Sequence, residues 1–264
     1  MLRYCSLFSS SRGNSTYIGT SNGGILIDAG VSAKRIDAAL RERSIDPSRI
    51  RALLISHEHS DHVSGVAVLA KRYGWPILAS EGTLEALVQT DKLSPQHRLF
   101  MVQPGQPVTA GDLQIVPVNV PHDSRQCLGF RINADSGHAA AVVTDMGYVS
   151  DEIRAMITGC NLVHIESNHD PVMLRNGPYP FYLQERILGP GGHLSNERCS
   201  QELPSLLQAG ATRFVLAHLS EHNNTPSLAL QTAEKSLSAI GAVNNRDYLL
   251  QAAQPTGTEP IIYF

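Results

Sequence analysis

Ser56-His57-Glu58-His59-Ser60-Asp61-His62 is the stretch on which the reading of this chain turns. Three histidines and one aspartate fall within residues 57–62, directly after the compact apolar run Ala52–Ser56. That run reads as a buried strand. Behind it Val63, Val66, Ala67 and Ala70 recur at helical spacing, so the cluster lies on a strand-to-helix loop. Residues 57 and 59 project from one side of an extended loop, while 61 and 62 can turn toward a second ion. Imidazole and carboxylate together form the ligand set of Zn²⁺, Mn²⁺ or Fe. Solvated loops also collect His, Ser and Asp, but three His and one Asp in six residues after a buried strand point to metal.

Around this cluster, the chain has 264 residues, 42% of them hydrophobic, and a formal net charge of −3. That length buries a sizeable core and is read as one domain over residues 1–264. The ordinary apolar content and small net charge exclude dominant disorder. No apolar run approaches the roughly 18–20 residues of a membrane span. Residues 1–13 lack an uninterrupted apolar stretch of the signal-peptide type, so the expected compartment is the cytoplasm. Cys5, Cys127, Cys160 and Cys199 are far apart and show no CxxC spacing, which reads as ordinary thiols. Residues 1–132 carry 14 Lys/Arg against 11 Asp/Glu, and residues 133–264 carry 7 against 13. Neither half is a basic nucleic-acid footprint, so any polyanion site must be a local patch or the metal centre itself.

The rest of the chain alternates short β-like runs with amphipathic helices. Strands are expected at 16–20, 24–28, 52–56, 76–79, 98–102, 113–118, 127–133, 139–144, 161–166 and 213–217, with terminal strands near 247–251 and 260–263. Helices are expected at 32–43, near 81–90 and 149–158, from Asn196 to Leu207 and from Pro226 to Ile240. Several strands follow one another without helices between them. A two-sheet sandwich flanked by helices fits that order better than a doubly wound sheet.

The HxHxDH segment resembles the signature of the metallo-β-lactamase superfamily, and further elements follow in that family's order over nearly the whole chain. Asp28, after Ile25-Leu26-Ile27, is similar to the early aspartate that buttresses the metal loop. His122, Asp145 and His218 match the third histidine, the bridging aspartate and the last histidine. The resemblance implies a four-layer αββα sandwich and two divalent metal ions, Zn or Mn with Fe possible. It places His57, His59 and His122 on one metal, Asp61, His62 and His218 on the other, and shares Asp145 between them. Taken singly, His122 could be a turn residue, His218 a core histidine and Asp145 a helix cap.

Asp145 stands where the best-known β-lactamases carry cysteine, which disfavours an antibiotic hydrolase. Gly192-His193-Leu194-Ser195 is similar to the Gly-His-Ser/Thr motif of ribonuclease Z-type enzymes. Glu166 falls where those enzymes carry the glutamate that orients the motif histidine. Here Ile165 replaces the histidine before it, and His164, displaced by one, is given no catalytic role and is expected to point away from Glu166's neighbours. Ser9–Tyr17, His57–Gly65, Asp145–Val149, Glu166–Asp170, Gly177–Pro180, Gly192–Glu197 and His218–Pro226 together look like the YycJ/WalJ group. That resemblance implies a 5′-exodeoxyribonuclease linked to DNA repair, with DNA as substrate, no membrane, and a possible homo-oligomer.

The chemistry fits a phosphodiester. Two cations about 3.5–4 Å apart would neutralise charge at phosphorus and acidify a bridging water, whose hydroxide attacks. Asp61 and Asp145 would hold that nucleophile in place. His193 is expected to assist the leaving oxygen, with Glu166 fixing its tautomer; a surface salt bridge is the bland reading of Glu166. His169 either contacts phosphate or caps the following turn. Ser11–Ser15 either offers N–H groups and a guanidinium to an anion or is a surface turn. Tyr179, Phe181 and Tyr182 either stack on a base or pack. The alternatives are a hydrolase of small phosphodiesters, a glyoxalase II-like thioesterase, an RNA-processing nuclease, and a metal-stabilised binding module.

Overall fold

The computed structural model describes residues 1–256 and 260–264. One sheet is built from β1 (Arg3–Phe8), β2 (Ser15–Thr20), β3 (Gly23–Ile27), β4 (Ile50–Leu54), β5 (Ile77–Ala79) and β6 (Leu99–Met101). The second comprises β7 (Val108–Ala110), β8 (Leu113–Asn119), β9 (Leu128–Ala134), β10 (Ala139–Val143), β11 (Leu162–Glu166), β12 (Arg213–Ala217) and β13 (Leu249–Ala252). A C-terminal strand, β14 (Ile262–Tyr263), returns to pair with β1, so the orders are β14-β1-β2-β3-β4-β5-β6 and β13-β12-β11-β10-β9-β8-β7.

Alternation along the strands sorts side chains into three apolar layers. Ile25, Ile27, Ala52 and Leu54 of the first sheet meet Phe130, Ala140, Val142, Leu162 and Val215 of the second. Leu26, Leu53 and Ile77 point the other way, onto α1 (Ala33–Glu42), α2 (Ser60–Val63), α3 (Val66–Tyr73) and α4 (Glu81–Gln89). Val143, Val163 and Ile165 pack outward onto α5 (Asp151–Ile157), and onto α8 (Asn196–Gln208) and α9 (Pro226–Ser238). Between α5 and α8 lie two short helices, α6 (Pro171–Asn176) and α7 (Phe181–Leu188). The architecture is the expected four-layer αββα sandwich. Burial on both faces explains why β10 reads as a continuous apolar run, and why β4 does from Ala52 onward, past the exposed Arg51. Truncating a fully buried residue such as Leu54 to Ala would cost about 2–5 kcal/mol.

Helix starts are chemically specified. Ser80, Ser150, Ser195 and Thr225 each accept an N–H from the first turn of α4, α5, α8 and α9. Most expected elements are present within a few residues. Four were not anticipated. β1 and β7 are too short or too mixed in polarity to stand out, and α6 and α7 lack an apolar stripe because each buries a single residue, Leu174 and Ile187.

Candidate metal centre

The candidate site gathers at the C-terminal ends of strands from both sheets. Asp28 follows β3, the cluster 57–62 follows β4, Asp145 follows β10, Glu166 ends β11 and His218 follows β12. Asp28, Asp145 and His218 adopt left-handed backbone, with φ of 63°, 60° and 54°. Asp and His tolerate this region better than most non-glycine residues, yet three such turns at one centre mark a strained, over-determined site. Gly30 secures the approach of the β3 loop: a Cβ there would lie 1.6 Å from the Asp61 carbonyl oxygen. Asn14 N–H donates to that same carbonyl at 2.8 Å, and Gly30 N–H donates to Asn14 O at 2.8 Å.

Asp28 locks the histidine loop. Its carboxylate accepts from Ser56 N and Ser56 Oγ, both at 2.8 Å, and pairs with His62 Nδ1 at 2.7 Å. His62 Nε2 is thereby aimed at the centre, 3.2 Å from Asp145 Oδ2 and 3.4 Å from Asp61 Oδ2.

All seven residues expected to hold metal converge. His57, His59 and His122 bring one ring nitrogen each within 4.8 Å of one another, and Asp61, His62 and His218 do the same with their ligand atoms. Asp145 joins the two sets through His57 and His62, and it also meets Glu166, His193 and His218. The donors fit divalent cations. His57 Nε2, Asp145 Oδ2 and His218 Nε2 are buried and make no hydrogen bond, which is costly unless a ligand satisfies them.

The electrostatics give the same reading. Burial and the neighbouring His62 hold His57 well below the ordinary histidine value. Burial also lowers His122. His218 is driven the other way: burial opposes its charge, but Asp145, Asp61 and Glu166 outweigh it and push the ring up to about 10. His62 is raised by Asp145, Asp28 and Asp61 against the same burial. Asp145 and Asp61 lie well below the carboxylate range because neighbouring imidazoles overcome their burial. The centre is a nest of carboxylates that demands positive charge.

Glu166 is fully buried, which excludes a surface salt bridge. Its Oε1 pairs with His193 Nδ1 at 2.8 Å and His218 Nδ1 at 2.9 Å, and its Oε2 accepts from Met146 N at 2.8 Å and Leu194 N at 3.1 Å. Burial pushes this carboxyl up, but His193 and His218 outweigh it and hold it at about 2. His193 is partly exposed, and no described residue bonds its Nε2. His122 Nδ1 bonds the Gly192 carbonyl at 3.2 Å, tying the His193 loop to the first histidine set.

Several expectations need correction. His164 does not point away from Glu166's side of β11: with a two-residue period both face the same way, and His164 bonds the Tyr4 hydroxyl at 2.6 Å between the sheets. His169 caps no turn, because Asp170 accepts the Met173 N–H at the start of α6. The His169 ring is buried, and neither nitrogen has a partner. Tyr179 lies against His222, with ring centroids 5.8 Å apart, whereas Phe181 and Tyr182 do not pack; they are 73% and 75% exposed. Two contributors were missed. Asn14 Nδ2 lies 3.1 Å from His62 Nε2, and Asn224 Nδ2 braces the 167–168 loop through the carbonyls of Ser167 and Asn168. Asparagines in polar runs carry no periodic signal that would single them out.

A model of the β-lactamase superfamily domain matches residues 24–219. The chain is 34% identical over 240 residues to the exodeoxyribonuclease YycJ of Bacillus anthracis, covering 91% of this chain and 90% of that protein. It is 36% identical over 263 residues to the exodeoxyribonuclease WalJ of Streptococcus pneumoniae serotype 2, covering 98% and 97%. Among solved structures, the metallo-β-lactamase fold protein YhfI from Bacillus subtilis superposes with a TM-score of 0.73 at 19% identity, over 99% of this chain and 98% of that one.

Proposed function

Because the chain belongs to the β-lactamase superfamily and is a metal-dependent hydrolase of that fold, we propose that it is a dinuclear phosphodiesterase that degrades DNA from a 5′ end. The observation that carries this reading is the coupling of the seven-residue donor set to His193 through one buried carboxylate, Glu166. Two divalent cations, held by His57, His59 and His122 on one side and Asp61, His62 and His218 on the other with Asp145 between, would supply charge neutralisation and an acidified water.

The chain's own residues do the rest. Asp28 fixes the ring of His62, and Glu166 fixes the rings of both His218 and His193, so none of the three turns away from the centre. The proton at His193 Nδ1 is committed to Glu166, so proton traffic at this ring runs through Nε2. The ring is partly exposed, and a departing oxygen that reaches it needs a proton. Asp61 and Asp145 supply acceptor oxygens that orient an attacking water. Among the described residues no helix is long and apolar enough to cross a membrane.

The test is direct. Protein loaded with Zn²⁺ or Mn²⁺ is incubated with 5′- and 3′-labelled single- and double-stranded DNA, with RNA of the same sequence alongside. Stepwise loss of the 5′ label from DNA is the expected result. Absence of DNA cleavage with both metals refutes the reading.

A further inference from the structure

We propose that the cavity between Arg12 and Arg35 is a phosphate pocket that holds the 5′-terminal phosphate of the DNA while the next linkage sits at the metal centre. This rests on the reading of the site as a DNA phosphodiesterase. The cavity measures about 210 Å³, and its lining includes Ser10, Arg12, Gly13, Val31, Arg35 and Glu221. Its lining adjoins, along the chain, residues that touch the candidate metal centre. Ser10 and Gly13 belong to the loop whose next residue, Asn14, reaches within 3.4 Å of Asp61 Oδ2 and 3.1 Å of His62 Nε2. Glu221 stands three residues beyond His218.

The lining is matched to an anion. Arg35 stacks its guanidinium 4.7 Å over the Phe8 ring, which fixes the plane and leaves the N–H edge free. Among the described residues it has no carboxylate partner. Arg12 is 75% exposed and is held by Glu221 Oε2 at 2.9 Å. Ser10 is buried; its Oγ accepts the Arg12 N–H at 3.1 Å, so its own hydroxyl proton remains to be donated. Two planar forks and a buried hydroxyl suit a phosphate group better than a carbonyl or a neutral sugar. Glu221 is the opposing charge: an entering phosphate takes its place on Arg12. In a chain of net charge −3, this is the local basic patch that a polyanionic end requires.

A terminal phosphate and an internal backbone phosphate share this chemistry, so the experiment separates them. Kinetics are measured on 5′-phosphorylated and 5′-hydroxyl oligonucleotides for wild type, R12A, R35A, R35K and E221Q, with thermal unfolding as the control for folding. In parallel, binding of 5′-dTMP to EDTA-treated protein is followed by calorimetry. The expected results are a preference of about tenfold or more for the 5′-phosphate, its loss in R12A and R35A, and tighter 5′-dTMP binding in E221Q. Folded R35A with unchanged kinetics on both ends and unchanged 5′-dTMP binding overturns the proposal. Equal slowing of both ends by R35A overturns the terminal assignment in favour of an internal phosphate. Arginine-dependent 5′-dTMP binding by a protein that cuts no DNA would uphold the pocket and sink the nuclease reading alone.

Discussion

Replacing Glu166 by Gln tests the electrostatic logic of the centre most sharply. The native carboxylate accepts four hydrogen bonds, from two imidazole Nδ1 atoms and from the backbone N–H of Met146 and Leu194. A glutamine amide has one acceptor oxygen and one NH₂ group. Whichever way it is turned, its NH₂ faces two donors and two accepted bonds disappear. Bonds to a charged partner are worth about 1.5–3 kcal/mol each, so E166Q should lose about 3–6 kcal/mol in metal-free protein. That is a large share of the roughly 5–15 kcal/mol that holds a typical domain folded. The loss should appear in urea unfolding followed by far-ultraviolet circular dichroism in EDTA. Activity of the metal-loaded variant should fall about 10–100-fold, because His193 and His218 lose their orientation together. A variant within about 1 kcal/mol of wild type would mean that Glu166 is protonated in the native state, and the polarity assigned to the centre would be wrong.

Three further outcomes are expected. His193→Ala should keep its full metal content by elemental analysis and lose about 10²–10⁴-fold in turnover of a phosphodiester; loss of metal instead would reassign His193 as a ligand. Asp28→Asn should bind Zn²⁺ about 10–100-fold more weakly by calorimetry, since it cannot serve Ser56 N, Ser56 Oγ and His62 Nδ1 at once; unchanged affinity contradicts the buttress role. Metal-free stability should peak near pH 6.5. His218, at about 10, and the raised His62 keep protons that the unfolded chain releases above about 6.5, so their contribution is lost as pH rises toward 10. His164, at about 3, His169, at about 4, and the lowered His57 and His122 stay neutral while the unfolded chain takes up protons, so stability also falls below about 6.5. Urea midpoints rising steadily through about pH 9 in EDTA would contradict that balance.

Legibility in the sequence followed the strength of local signals. The donor cluster at 57–62 announced itself because His and Asp were dense beside an apolar run; β10 was legible because burial on both faces leaves it without a polar residue, and β4 because only the exposed Arg51 interrupts its apolar run. Single donors were different. His122, Asp145 and His218 lie 60 residues or more beyond the cluster, and only tertiary structure brings them to it. Their assignment came from order along the chain and not from spacing. The α6–α7 segment was opaque because almost nothing on it is buried. The error over His164 had a simple physical source: residues two apart on a strand share a face, so His164 and Glu166 had to point to the same side.

The chemistry of the centre and its backbone geometry select the same residue types. Strands β3 and β4 run parallel in one sheet, and β10, β11 and β12 run parallel in the other, so their C-terminal ends present the loops that face one another across the cleft. A chain leaving a strand and turning at once into such a cleft does so through left-handed backbone, which few side chains tolerate. Asp and His are among those that do, and they are also the side chains that bind divalent metal. Asp145 and His218 meet both demands at their corners, while Asp28 turns in the same way and spends its carboxylate on the ligand His62. Substituting Ala would therefore strain a turn and, in the same step, remove a metal donor at Asp145 or His218 or the brace of His62 at Asp28. An oxygen- or nitrogen-bearing replacement such as Asn keeps the turn accessible, so only the Asn series separates loss of metal affinity from loss of fold.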